Sequence, residues 1–262
     1  MREEQDSNMA DTQAWDIRLE NLRVGYPGHV VLDGIDAHLP AGKISVILGG
    51  SGCGKSTLLR HILGLSQPQR GTVSMGGKNL FKLKKSEFRR LRRRMGVLFQ
   101  DGALLGSLTL GQNVGLPLAE HTRLAPAAIE AIVCDKLGLV GLESFVDYYP
   151  SQLSGGMRKR GGLARAIAMD PPVLFCDEPT SGLDPINAAQ MDELLLRMKQ
   201  MLAVTIVVVS HDLDSLRKIA DYAMVLHEGR AVYTGEINGL LETRDPYLRQ
   251  FLDRSPERRV LA

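Results

Sequence analysis

Nine residues, Gly49 to Thr57, read GGSGCGKST and fit the pattern G-x-x-x-x-G-K-[ST], with Gly49, Gly54, Lys55 and Ser56 in its fixed positions. Gly50, Ser51, Gly52 and Cys53 fill the interval. Glycines free the backbone to curl, so that successive N–H groups can point inward at one anion. The apolar run ISVIL stands before the loop and LLRHIL after it, the order strand, loop, helix, and the helix adds its positive end to the anion site. In that setting Lys55 reaches the β- and γ-phosphates of a nucleotide and the Ser56 hydroxyl ligates Mg2+. An accidental glycine-rich turn would need neither the strand nor the helix.

Farther along, Val173 to Cys176 are consecutive apolar residues, as in a strand buried on both faces of a parallel sheet, and Asp177 and Glu178 follow at once. Asp177 at the strand end suits a Mg2+ shell, and Glu178 suits polarising an attacking water. Alone, such a pair also suits a turn or a helix cap; its place after the phosphate loop favours the chemistry. A second buried strand, Val204 to Val209, ends in Ser210 and His211. A histidine there is commonly just a satisfied polar residue, yet the carboxyl ends of open α/β sheets are where ligands bind. His211 is thereby a candidate contact for the γ-phosphate and the water.

Between these motifs lies LSGGMRKRGGLARAIAMD, residues 153 to 170. Ser154, Gly155 and Gly156 at a helix start form a second anion-binding amide cluster, or an ordinary helix cap. One phosphate loop has no evident use for two clusters in one chain. The natural solution is a head-to-tail homodimer in which Ser154, Gly155 and Gly156 of one copy close over the nucleotide held by the other.

The elements that must position these residues are legible in outline. Residues 1–14 read as a disordered lead. From Trp15, IRLENLRV and VVLDGIDAHL alternate loosely between apolar and polar around the turn-like GYPGH, which predicts two half-exposed antiparallel strands. Tyr26 between them is either a turn aromatic covering a sheet edge or a stacking platform for adenine. Residues 82 to 94, KLKKSEFRRLRRR, carry eight basic side chains against one acidic. A nucleic-acid or anionic-lipid patch is one reading; the favoured one is a solvated helix face with Leu83, Phe88 and Leu91 turned inward. MGVLFQ predicts a strand ending at Gln100. From Asp101 to about Pro150 the chain reads as helices punctuated by Gly111, Pro117, Gly138 and Gly141. Asp184 and Pro185 mark a helix start, with Asp184 as N-cap. DYAMVLHEGRAVYTGE predicts two strands around Glu228-Gly229, and Tyr247, Leu248, Phe251 and Leu252 share one stripe of a final helix that packs on its own domain. A docking or clasping role for the tail beyond Ser255 is the lesser alternative.

Composition sets the outer bounds. The chain has 262 residues, 44% of them hydrophobic, and a net charge of +2 that points to no particular partner. Cys53, Cys134 and Cys176 show no metal-like spacing and read as reduced thiols in a cytosolic protein. The polar N-terminus MREEQDSNMADTQ lacks a signal-peptide core, and no apolar run approaches the roughly 20 residues of a spanning helix. If the protein works at a membrane, another chain crosses it.

In this order the motifs resemble those of ATP-binding cassette ATPases, from about Trp15 to the early 240s. The resemblance implies a RecA-like P-loop α/β core with an N-terminal antiparallel β subdomain and an inserted helical subdomain at about 101–160, the ATPase domain spanning 15–245 and a C-terminal helix and tail 246–262. It implies ATP and Mg2+ as ligands, Tyr26 as the adenine-stacking residue and Gln100 as the sensor of γ-phosphate and Mg2+. It further implies Leu153 to Gly156 as the signature motif, Ser181 to Asp184 as the dimer-contacting loop and His211 as the switch histidine. Met157 after LSGG, together with LFQDGALLGSLTLGQNVGLPL at 98–118 and DEPTSGLDPI at 177–186, is similar to the ATPase subunits of Mla/Mce-type lipid transporters. That implies a peripheral subunit on the cytoplasmic face of a bacterial inner membrane, driving phospholipid between inner and outer membranes. Its partners would be an integral-membrane permease (MlaE-like), a periplasmic Mce-domain protein (MlaD-like) and a STAS-domain protein (MlaB-like). The alternatives are a cassette importing a small solute such as an amino acid, and a soluble cassette without a permease. A DNA-repair cassette would need a long coiled coil, absent here, and a non-catalytic sensor would be expected to lose Glu178 or His211. Gly161 and Gly162, where relatives carry larger residues, should each cost roughly 1 kcal/mol against alanine within a helix, and are expected to admit close packing of a neighbour.

Overall fold

The computed structural model describes residues 14–26 and 28–253; most of the N-terminal lead and the tail beyond Ser255 lie outside the described residues. β1 (Ile17–Tyr26) and β2 (His29–Leu39) lead into β3 (Ile44–Gly49) and α1 (Lys55–Ile62). β4 (Arg70–Met75), β5 (Lys78–Asn79), α2 (Lys85–Arg92) and β6 (Met95–Leu98) follow, then α3 (Leu110–His121), α4 (Pro126–Leu139) and α5 (Gly155–Ala166). β7 (Val173–Asp177), α6 (Pro185–Leu202), β8 (Thr205–Val209), α7 (Leu213–Ile219), β9 (Tyr222–His227), β10 (Arg230–Glu236), α8 (Ile237–Leu241) and α9 (Pro246–Leu252) complete the order.

Two sheets result. The smaller is antiparallel, in the order β2-β1-β4-β5, and the larger runs β10-β9-β3-β8-β7-β6 with all pairs parallel except β10 on β9. β3 and β8 are buried at every residue, because the larger sheet is covered on both faces and its central strands have no wet side. Alternation divides their side chains between two cores. Val46, Leu48, Leu174, Cys176, Ile206 and Val208 join the core under α3, α5 and α6. Ile47, Val173, Phe175, Val207 and Val209 join the one shared with β1, β2, β4 and α1. Phe175 is fully buried, and truncating a core phenylalanine to alanine costs about 3–5 kcal/mol.

Most local expectations hold. Asp184 caps α6, accepting from the backbone N–H groups of Ile186 and Asn187, and Pro185 is the first helical residue. Leu91 is buried on α2 with Phe88 half-buried, while the arginines point to solvent apart from the half-buried Arg94, whose guanidinium stacks over Trp15. Leu248 and Leu252 of α9 are buried against the first core. Two boundaries differ. β6 ends at Leu98, so Gln100 lies in the turn beyond it, because β7 offers pairing partners only as far as Cys176 opposite Leu98. Gly111, Pro117 and Gly138 lie inside helices rather than between them. The capping box of Thr109 and Gln112 starts α3 firmly enough that the proline is carried within it.

Candidate nucleotide site

The parallel register gathers the chemistry at one sheet edge. Ile47 of β3 lies beside Val209 of β8, and Val209 beside Asp177 of β7, so the loop after β3, the residues after β8 and the acidic pair leave the sheet side by side. Gln100 is two residues past the end of β6, at the same carboxyl edge.

The 49–57 loop needs its glycines for two different reasons. A Cβ at Gly49 would stand 2.4 Å from Cys53 Sγ and 2.5 Å from the carbonyl oxygen of Leu226, a backbone that cannot withdraw. Gly54 caps α1 at φ +103°, a conformation side chains avoid. No side chain caps α1, so its first amides remain open to a ligand. Lys55 Nζ donates to the carbonyl oxygens of Gly49 at 2.8 Å and Gly50 at 2.9 Å, holding its charge over the loop. Ser51, Gly52 and Ser56 are exposed. A bare helix start, a cationic side chain and a rim without side chains at Gly50 and Gly52 fit a polyphosphate.

Asp177 is half-buried, and its carboxyl is pushed above the usual range by burial and by the neighbouring Glu178, against the pull of Lys55. A cation would relieve that crowding. The Ser56 hydroxyl, Asp177 carboxylate and Gln100 amide offer oxygen donors of the kind that suits Mg2+, which takes few protein ligands and completes its shell with phosphates and water. No group of three or more His, Cys, Asp or Glu able to hold a metal occurs among the described residues.

Glu178 sits at φ +49°, strained for a side-chain-bearing residue. Its amide donates to Val209 O at 2.8 Å, which ties it to β8. That bond brings its carboxylate within 2.9 Å of His211 Nδ1. Glu178 is largely buried while His211 is mostly exposed. Together they border a cavity of about 730 Å3 that also takes in Ser181, Gly182, Asp212 and Phe251.

Tyr26 stands beside the loop helix, its hydroxyl 3.4 Å from Thr57 Oγ1 and the residue half exposed at 53%. Thus the 49–57 loop, Gln100, Asp177, Glu178 and His211 leave one edge of the larger sheet, and Tyr26, at the end of β1 in the smaller sheet, stands beside the loop helix. Ser154, Gly155 and Gly156 stand elsewhere: Gly156 faces Asn187 at the start of α6, and Ser154 caps α5 through Met157 N–H. Asp184 spends its carboxylate on Ile186, Asn187 and the Asn187 side chain, and these bonds hold its pKa down. All three cysteines are free, and burial with Asp177 nearby pushes the Cys176 thiol far up, so it is no nucleophile.

One residue at this site escaped the sequence reading. Lys159 of α5 is buried, with Nζ 3.0 Å from Glu178 O, 2.6 Å from Ser181 O and 3.1 Å from Ser181 Oγ. Burial lowers its pKa, opposed by the Asp101 and Glu178 carboxylates. The signal was its place four residues before the buried Leu163, on the inner face of a helix that otherwise reads as basic and wet.

Comparison with known proteins agrees with this geometry. Residues 32–181 match the family model described as ABC transporter. The chain is 39% identical over 237 residues to the probable ribonucleotide transport ATP-binding protein mkl of Mycobacterium tuberculosis, covering 90% of this chain and 66% of that protein. It is 42% identical over 223 residues to the intermembrane phospholipid transport system ATP-binding protein MlaF of Escherichia coli K12, covering 85% of this chain and 83% of that one. Among solved structures, the dimeric post-hydrolysis ATP-binding cassette MJ0796 bound to ADP and Pi superposes with a TM-score of 0.77 at 30% identity, over 84% of this chain and 98% of that chain.

Proposed function

Because the chain belongs to the ABC transporter family, we propose that it is the ATP-hydrolysing subunit of a bacterial transporter that moves phospholipid between inner and outer membranes. The observation that carries the hydrolytic reading is the meeting of Glu178 and His211 at the edge that also bears Lys55 and Asp177. Glu178 takes a proton from the attacking water while the bond between the γ-phosphorus and the β-γ bridging oxygen breaks, and Lys55 and His211 stabilise the charge that develops. Ser56, Asp177 and Gln100 would hold Mg2+, which would neutralise phosphate charge when bound. Tyr26 stacks on the adenine.

Two copies work head to tail. Ser154 and Gly155 are open to solvent and Gly156 faces Asn187, so the amides at this helix start suit the nucleotide on a second copy. Ser181 to Asp184 run along the same joint. Closure and reopening of the pair would move a permease seated near Gln100 and the helices of about 101–160. No helix among the described residues is long and apolar enough to cross a membrane. The likeness to MlaF is what supports a peripheral subunit on the cytoplasmic face, carried by a permease with Mce-domain and STAS-domain partners.

The cargo rests on the likeness to MlaF, which extends over 83% of that protein, whereas the chain spans 66% of the mycobacterial relative whose name points to ribonucleotides. Affinity purification of the tagged chain from native membranes in mild detergent tests the assignment. A permease, an Mce-domain protein and bound phospholipid are expected; a permease with a soluble solute-binding protein would point to a small-solute importer, and no membrane partner would return the chain to the soluble cassettes.

A further inference from the structure

Lys159 lies one turn inside α5, the helix whose first residues are the Ser154-Gly155-Gly156 amide cluster. Its ammonium spends three donors on one turn, the carbonyl oxygens of Glu178 and Ser181 and the Ser181 hydroxyl. The Ser181 hydroxyl in turn donates to Glu178 O at 3.0 Å, and the Ser181 amide donates there as well at 3.2 Å. Among the described residues, the hydrogen bonds between α5 and the 178–181 turn thus come from Lys159, while Ser181 closes the turn on itself.

The same helix is anchored to a second turn. Arg165 donates to Gly102 O at 3.0 Å and Ala103 O at 2.8 Å, and a Cβ on Gly102 would come within 2.5 Å of Arg158 O. That turn begins at Gln100 and Asp101. So α5 is locked at one point to the residues after Gln100 and at another to the residues after Asp177, with its N-terminus facing outward.

We propose that Lys159 is a positioning residue: it holds the left-handed backbone at Glu178 that aims the carboxylate, and it passes movement of the amide-cluster helix to that carboxylate. This rests on the hydrolytic reading above and adds a route by which the helix offered to one nucleotide sets the base acting on another. The Glu178 amide is held by Val209 O, and its carbonyl accepts from Lys159 as well as from the Ser181 amide and hydroxyl, so removing the lysine cuts the tie of this strained residue to α5 and leaves its carbonyl held by Ser181 alone. A displacement of about 1 Å at a reacting group can cost on the order of a hundredfold in rate. A lysine that merely satisfied buried carbonyls would leave turnover per bound nucleotide alone.

The test uses the full chain in its membrane complex, with ATP-binding stoichiometry and turnover measured for wild type, Glu178→Gln, Lys159→Met and Lys159→Gln. Lys159→Met should bind ATP at unchanged stoichiometry, with KM within about threefold, and lose about ten- to hundredfold in kcat per bound ATP. Lys159→Gln, which keeps two donors, should fall between Met and wild type. Should the methionine variant fail to assemble, the glutamine variant is read on the same per-bound-ATP scale and must lose about threefold or more. Turnover per bound ATP within twofold of wild type in the variants that assemble overturns the proposal. Absence of turnover in the wild type would instead remove the hydrolytic reading, so the two failures are distinct.

Discussion

His211 and Glu178, 33 residues apart in the chain, meet side chain to side chain, the imidazole Nδ1 lying 2.9 Å from the carboxylate. Nδ1 faces the carboxylate, which leaves Nε2 on the side of the ring away from that bond. The contact orients the ring before any nucleotide arrives. His211→Ala should therefore leave ATP binding close to wild type and lower kcat by about 10²- to 10³-fold, the scale of losing one preorganised contact to a developing charge. Steady-state turnover beside equilibrium binding checks this, and a variant with wild-type kcat would remove His211 from the chemistry.

Gly162 offers a sharper packing test. A Cβ there would stand 2.7 Å from Gly102 O and 2.8 Å from Gly102 Cα, both backbone. The neighbour that the paired glycines admit is thus this chain's own turn after Gln100. Gly161 is the milder case, since its Cβ would meet the flexible end of Leu110 at 2.6 Å. Overpacking costs about 1–3 kcal/mol and outweighs the roughly 1 kcal/mol of helix propensity that alanine adds. Gly162→Ala should lower the melting temperature more than Gly161→Ala does, and a rise in both would contradict the close approach.

Tyr26 presents its ring with the hydroxyl only loosely engaged at 3.4 Å from Thr57. If the ring stacks on adenine, Tyr26→Ala should weaken ATP binding by about 1 kcal/mol, roughly fivefold, whereas Tyr26→Phe should change little. Titration calorimetry with ATP reads both. Equal affinity for Tyr26→Ala and wild type would return the residue to the role of a sheet-edge cover.

The sequence reading succeeded where a strand run and its end were both marked. Ile44 to Leu48, Val173 to Cys176 and Thr205 to Val209 are mostly apolar and run straight into Gly49, Asp177 and the Ser210-His211 pair, so parallel pairing had one way to collect these candidate residues. It missed what depends on which face of a helix turns inward. Lys159 sits among Arg158 and Arg160 in GGMRKRGG, and within that basic run its spacing of four from Leu163 is the one mark of the cation that turns inward. Asn113, fully buried, joins Leu105, Leu108 and Thr109 by four hydrogen bonds, and that loop anchor was hidden for the same reason.

Asp192 supplies a pH prediction away from the nucleotide edge. It is buried, accepts from Ser215 Oγ at 3.1 Å, lies 4.0 Å from Lys218 Nζ and leaves Oδ1 without a partner. Burial raises its pKa, with Asp212 adding to the rise and Ser215 and Lys218 opposing it. The fold therefore favours the protonated form: that stability is fully present below the unfolded carboxyl value of about 3.9 and is lost as pH rises through the higher folded value. Asp192→Asn cannot ionise, so its melting temperature relative to wild type should be higher at pH 7 than at pH 4. A difference independent of pH would contradict the assignment.

The most direct test of the central account is ATP-dependent phospholipid transfer by the complete complex reconstituted in vesicles, comparing wild type with Glu178→Gln at saturating ATP. The account predicts that wild type moves labelled phospholipid while hydrolysing ATP, and that Glu178→Gln binds ATP but neither hydrolyses it nor moves lipid. Ordinary turnover in the glutamine variant would refute Glu178 as the base, and a wild-type complex that hydrolyses ATP without moving phospholipid would refute the cargo.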